Sequence, residues 1–338
     1  MSVTKTGTHS FRPKQLPVIS AWASIAGKKE GEGPLKALFD VASEDTMFGE
    51  DSWEKAENRM QQMALDALLQ KAGIRSKDLD VVFSGDLLNQ CIGSSFSLRN
   101  TGLPHIGLYG ACSTMAESML LGTLAVGSGF ARRVAAMTSS HFAASERQYR
   151  FPLGYGGQRT PTAQWTVTGS GAVLITNGGN GPRIEGCTIG TVVDLGVKDA
   201  ANMGAAMAPA AKDTILTHLK DFNRTPKDYD IIITGDLGKI GKALLAKLAD
   251  DAGCDLTSVL EDCGCLIYSN EQDTHAGGSG CGCSAITLCS KLLPELKSGQ
   301  IKRLLFCGTG ALLSPTSTQQ GQPIPGICHA VSICSPEV

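Results

Sequence analysis

Apolar and polar positions recur with two different periods along this chain, and the switches between them mark its elements. Trp53, Met60, Met63, Ala64, Ala67 and Leu68 recur at helical spacing and predict a long helix whose apolar face covers a sheet. Asp51 and Glu54 have the spacing of a capping box at its start, and Gly73 fits its exit. Val81, Val82 and Phe83 form a short continuous apolar run, as in a strand buried on both faces. A second, glycine-interrupted run at 106–109 leads into Gly110-Ala-Cys-Ser-Thr114 and then Met115 to Leu124, which reads as strand, turn and helix. Cys112 is thereby placed near a buried strand-to-helix junction, where free backbone N–H groups can stabilise a thiolate or the carboxylate of a ligand.

The pattern repeats. Residues 73–90 have a counterpart at 223–240, in which Lys77, Asp78, Asp80, Gly85, Asp86 and Leu87 match Lys227, Asp228, Asp230, Gly235, Asp236 and Leu237. Further on, Leu124 to Val134 resembles Leu296 to Leu305, each leading into a small-residue-rich strand end. The common order argues for an internal duplication. It predicts an α/β fold of two similar halves, 1–175 and 176–338, packed across a pseudo-twofold axis. The Ala, Leu and Lys content of 242–249 favours another helix. Residues 141–165 break the pattern with several glycines, prolines, arginines and aromatics, and read as a long shaped loop in the first half.

Composition narrows the class. The chain has 338 residues, 42% hydrophobic, with a formal charge of −2, which fits a compact protein with one large or two moderate cores. No basic segment followed by an apolar signal run and no stretch of 18 apolar residues is visible, so a soluble protein on the cytoplasmic side of a membrane is expected. The 12 cysteines then read mostly as reduced packing residues. Cys263-Gly-Cys265 and Cys281-Gly-Cys283 sit at a spacing too tight for an ordinary zinc site, and no metal or cofactor is expected. Lysines and arginines form no extended basic stripe, which argues against nucleic acid.

Candidate chemistry centres on Cys112. Acyl transfer there needs a base, and His141 or His275 are the candidates among six histidines. The 141–165 segment offers a different chemistry: Arg147, Arg150 and Arg159 can present guanidinium groups to an anion, while Tyr149 or Tyr155 can cover a ring. Asp86 and Asp236, at matching turns, read more simply as structural caps than as an acid–base pair.

Over nearly its whole length the chain resembles the stage V sporulation protein AD family, a thiolase-like branch. The resemblance is carried by Gly85-Asp-Leu-Leu-Asn-Gln90, Tyr109-Gly-Ala-Cys-Ser-Thr114, Thr138-Ser-Ser-His141, Ala144-Ser-Glu-Arg-Gln-Tyr-Arg150, Gly277-Gly-Ser-Gly280 and Gly308-Thr-Gly-Ala-Leu-Leu-Ser-Pro315. It implies a layered α-β-α-β-α fold and a homodimer. It also implies dipicolinate (pyridine-2,6-dicarboxylate) as ligand, sporulation VA membrane proteins as partners, and peripheral association with the forespore or spore inner membrane after synthesis in the cytoplasm. Cys112 matches the nucleophile of condensing enzymes. Ile233 to Gly238 falls where many of them present a histidine, and Ser279 where an asparagine would stand. The expectation is therefore noncatalytic binding by Cys112, Ser113, His141, Arg147, Tyr149, Arg150, Tyr155 and Arg159. The alternative is a cysteine-dependent acyltransferase.

Overall fold

The computed structural model describes residues 2–149 and 159–338. Among these, the five strands that order the first half are β1 (Val18–Ala26), β2 (Val81–Gly85), β3 (His105–Leu108), β4 (Arg133–Ser140) and β5 (Gly169–Thr176), with shorter strands beside them. Those of the second are β6 (Arg183–Thr188), β7 (Ile231–Thr234), β8 (Leu260–Asp262), β9 (Arg303–Ala311) and β10 (Gly326–Cys334). The first set is ordered β1-β5-β4-β2-β3 and the second β6-β10-β9-β7-β8. In each, the first two pairings are antiparallel and the last two parallel. The two sheets meet where Val18 pairs with Arg183.

The longer helices are α1 (Trp53–Ala72), α2 (Ile92–Leu98), α3 (Thr114–Ser128), α4 (Phe142–Tyr149), α5 (Met203–Asp221), α6 (Gly238–Asp250) and α7 (Cys281–Thr287). Successive strand side chains point to opposite faces, and both faces are used. Val173, Ile175, Phe306 and Val331 face a central core with Met115 and Met119 of α3 and Ile286 of α7. Their chain neighbours Ala172 and Leu174 face Met60, Ala64 and Leu68 of α1, while Leu305 and Ala330 face Met207 and Ile215 of α5. The result is the expected thiolase-like α-β-α-β-α layering, with α3 and α7 between the sheets.

The repeat is geometric as well as sequential. Asp80 accepts the N–H groups of Arg132 and Arg133 at 2.7 and 2.9 Å, and Asp230 accepts those of Lys302 and Arg303, both at 2.8 Å. Each carboxylate thus fixes the start of the neighbouring parallel strand. Gly73 ends α1 in the left-handed region, at φ 64°.

Two local expectations are corrected. Ser52, not Asp51, is the N-cap residue of α1, and no side chain caps it. Asp51 bonds Lys55 at 2.9 Å and Glu54 pairs with Arg147, so cations hold both carboxylates away from the helix N–H groups. The 141–165 segment begins as helix α4 rather than loop, because its glycines and prolines all lie after Tyr149 and Phe142 to Gln148 lacks a breaker. All 12 cysteines are unbridged. Among the described residues no helix is long and apolar enough to cross a membrane, and no three candidate ligands converge on a metal site.

Polar contacts on β6 bind the second half together. Glu185 accepts both terminal nitrogens of Arg224 at 2.8 and 3.0 Å, Arg303 Nε at 3.0 Å and Ser332 Oγ at 2.8 Å. Burial opposes its charge, but the Arg224 and Arg303 bonds win and hold its carboxyl down at about 2. A carboxylate depressed this way stabilises the fold above its unfolded pKa and loses that contribution as pH falls toward 2. Glu185→Gln is expected to cost about 3 kcal/mol at pH 7 and to flatten the acid limb of the stability curve, both measurable by urea unfolding as a function of pH.

Candidate functional site

The site is built where β3 runs into α3. After Leu108 the chain makes a single tight turn over Ala111 to Ser113 before α3 begins. Ala111 adopts a left-handed conformation, φ 52°, which is strained for a residue with a Cβ. The turn is held by its own hydroxyls: Ser113 Oγ donates to the Gly110 carbonyl at 2.6 Å and Thr114 Oγ1 to that of Ala111 at 2.7 Å. It packs on β9 because Gly308 and Gly310 lack side chains. A Cβ at Gly308 would stand 2.6 Å from the Ala116 Cβ, and one at Gly310 would stand 2.8 Å from the Gly110 carbonyl.

Cys112 thereby reaches a cleft of about 490 Å³, including its open mouth. Its polar wall contains Ser145, Glu146, Tyr149, Thr166 and Ser279, and its apolar wall Leu87, Met203, Ala311 and Leu313. A neighbouring hollow lined by Asn89, Tyr109 and Pro315 shares Ala111, Tyr149 and Leu313 with it. The ring of Tyr149 packs with Leu87, Cys112 and Cys281, and its hydroxyl donates to the Leu87 carbonyl at 2.7 Å. Thr166 Oγ1 donates to Glu146 at 2.9 Å. Ser145 Oγ is buried on this wall with no hydrogen-bond partner among the described residues. Orphaned hydroxyls of this kind cost free energy unless something else supplies the bond.

Asp236 lies behind Cys112. It is fully buried, accepting Thr309 Oγ1 at 2.8 Å and the Gly280 N–H at 2.9 Å, and its carboxyl lies close enough to Cys112 to act on the ionisation of the thiol. Burial raises the Asp236 carboxyl to about 7. Burial, then Asp236 and Cys281, push the Cys112 thiol well above its ordinary value. Cys112 is therefore a neutral thiol at neutral pH, the reverse of an activated nucleophile.

The candidate residues named from sequence divide. Cys112 and Tyr149 line the cleft, whereas Ser113 spends its hydroxyl on Gly110. His141 does not line it: Nε2 lies 2.9 Å from the Thr46 carbonyl, Nδ1 accepts from Ala144 N at 3.4 Å, and burial lowers its pKa. His275 faces Asp273 at 3.3 Å, also outside the lining. Arg147 pairs with Glu54 and covers Trp53, and the Arg159 guanidinium lies 4.8 Å over Trp165 while donating to the Asp273 carbonyl. Arg150 and Tyr155 lie outside the described residues.

The structure also supplies residues the sequence reading passed over. Ser145 and Thr166 carried no distinguishing signal. From sequence Asp236 reads as a turn cap, a role that fits its counterpart Asp86, which accepts Leu88 N at 2.9 Å and Ser94 N and Oγ at 2.7 Å. In the second half Asp262 takes over the N–H groups of Leu237 and Gly238, at 2.8 and 3.0 Å, and Asp236 is left to face Cys112.

Solved structures of the same fold include human mitochondrial 3-ketoacyl-CoA thiolase in complex with CoA, at 13% identity and TM-score 0.60 over 96% of this chain and 99% of that one. Another is 3-oxoacyl-[acyl-carrier-protein] synthase III from Aquifex aeolicus, at 12% identity and TM-score 0.56 over 94% and 99%. At these identities the likeness is one of fold. Among the described residues neither His141 nor His275, the bases named for the acyltransferase alternative, lines the cleft beside Cys112. Iodoacetamide is accordingly expected to label Cys112 slowly below pH 9 in the folded protein and readily after unfolding, as read by peptide mass spectrometry. Rapid labelling at pH 7 would contradict the neutral-thiol assignment. A stage V sporulation protein AD of Bacillus subtilis is 44% identical over 326 residues, 96% of either chain. With the sequence model of the stage V sporulation protein AD (SpoVAD) family also matching residues 7–334, the chain belongs to that family.

Proposed function

We propose that this protein binds dipicolinate without turnover and takes part in its uptake into the developing spore, peripherally associated with the sporulation VA membrane proteins. The observation that carries the binding reading is the cleft itself: a neutral thiol in place of a thiolate, beside a buried Ser145 hydroxyl with no hydrogen-bond partner among the described residues. A flat diacid suits this inventory. Ser145 Oγ can donate to one carboxylate, the Tyr149 ring can flank the pyridine, and the first N–H groups of the 15-residue helix α3 favour negative charge. Arg150 and Tyr155 remain proposed ligand contacts, and Arg147 and Arg159 belong to the same 141–165 segment. The halves 1–175 and 176–338 are taken as the duplicated units, a division supported by the repeated strand order.

A homodimer is proposed through β3. This strand is the edge of its sheet, and Ile106, Tyr109 and Phe96 around it are each about half exposed, at 49%, 50% and 47%. An unpaired apolar edge is a template for pairing, and a second copy meeting it antiparallel would satisfy both by symmetry.

Calorimetric titration tests the ligand assignment: dipicolinate is expected to bind and benzoate to bind far more weakly, with no product formed. Ser145→Ala should weaken dipicolinate by about tenfold, the loss of one hydrogen bond to a charged group, with little change in melting temperature. Equal binding of the two acids would sink the assignment. For the dimer, Ile106→Asp should shift the sedimentation coefficient from dimer to monomer. A wild-type monomer at micromolar concentration would refute the interface.

A further inference from the structure

We infer that the Cys112 cleft takes up a proton together with its anionic ligand, and that Asp236 is the group that holds it. The inference rests on the dipicolinate reading above and concerns the charge state in which that site binds.

Asp236 is fully buried one layer behind the cleft wall, where it accepts the N–H of Gly280, a residue that lines the cleft with Cys112. Its carboxyl has three neutral neighbours: the Thr309 hydroxyl from β9, the Gly280 N–H at the start of α7, and the Cys112 thiol from the turn before α3. The ionisable groups that face it from the packed elements are acidic. They are Cys112, Cys263, Cys281 and Cys283, all pushed well above their ordinary range by burial, and Asp262 at the end of β8, which burial also raises. No ion pair to Asp236 forms among the described residues. Glu146 adds a second carboxyl to the cleft wall.

A dicarboxylate entering this cleft brings its charge close to a group that is neutral only when protonated. In a medium of low dielectric, like charges at short range repel strongly, and a shared site then titrates as a unit, retaining a proton that the free site would release. With no cation among the described residues to offset it, burial raises the Asp236 carboxyl to about 7. Below that pH the proton is already present and binding releases or absorbs nothing. Above it, each binding event must draw a proton from solution, so affinity falls by up to about tenfold per pH unit. The carboxyl groups of the ligand ordinarily ionise several units lower, which separates their titration from this one.

The experiment is calorimetric titration of the full chain with dipicolinate in chelator-treated buffers at pH 6, 7 and 8. At each pH, two buffers of different ionisation enthalpy are compared, so that the difference in apparent heat counts protons. Uptake near zero at pH 6 rising to about one proton at pH 8 is expected, with Kd rising in parallel by up to about tenfold between pH 7 and 8. Asp236→Asn should remove both the uptake and the pH dependence, whatever its absolute affinity. The wild-type proton count stands alone should that variant not fold. Binding with no proton uptake at pH 8, or uptake that persists in Asp236→Asn, overturns the inference while leaving the binding reading intact. Absence of dipicolinate binding at every pH overturns both.

Discussion

The packing of the Cys112 turn against β9 is the constraint on which the rest of this structure depends. Gly308 and Gly310 let that turn approach so closely that a single methyl group on either would collide with it. The approach brings an element of the first half, the start of α3, onto a strand of the second. It closes the central layer and puts a thiol at the bottom of a cleft. Without it there would be two sheets and their helices, but no site.

Duplication supplies the scaffold, and departures from it supply the chemistry. Asp80 and Asp230 perform the same task in the two halves, each fixing the strand beside it. Asp86 and Asp236 start from the same tripeptide and diverge. The first closes its own turn onto Ser94; the second is released from that duty by Asp262 and meets Cys112 across the interface. One hydrogen-bond reassignment thus turns a carboxylate that closes its own turn into one that adds to the effect of burial in keeping the Cys112 thiol neutral. Function lives in such local differences rather than in the fold, which this chain shares with condensing enzymes at low identity.

The acidic neighbourhood of Cys112 also bears on why a thiolase-like frame can serve binding. An acyl-accepting cysteine needs a neighbour that favours thiolate. Here burial and a carboxyl act in the opposite direction. Among the described residues the cleft presents a neutral thiol, hydroxyls, a tyrosine and the Glu146 carboxyl, and no group beside Cys112 that favours its thiolate.

How much could be read without coordinates follows the range of the interactions. Period and composition settled the local elements: α1 from its apolar face and Gly73, β2 from its three apolar residues, the turn at Cys112 from an apolar run meeting a helical one. The repeat at constant spacing settled the doubled architecture, because strand order follows connectivity. Helix α4 was masked by the glycines and prolines that follow it, and its buried face carries Ser145 and Glu146, so part of the cleft wall was hidden with it. Where Arg147 and Arg159 point was decided by Glu54, Trp53, Trp165 and Asp273, partners that in each case but Trp165 stand more than ninety residues away. Asp236 facing Cys112 was beyond any local signal, since its own turn is the twin of one that does something else. Short-range preferences belong to the sequence. Which buried acid meets which thiol is fixed only when two halves pack and each polar group must find a partner away from water.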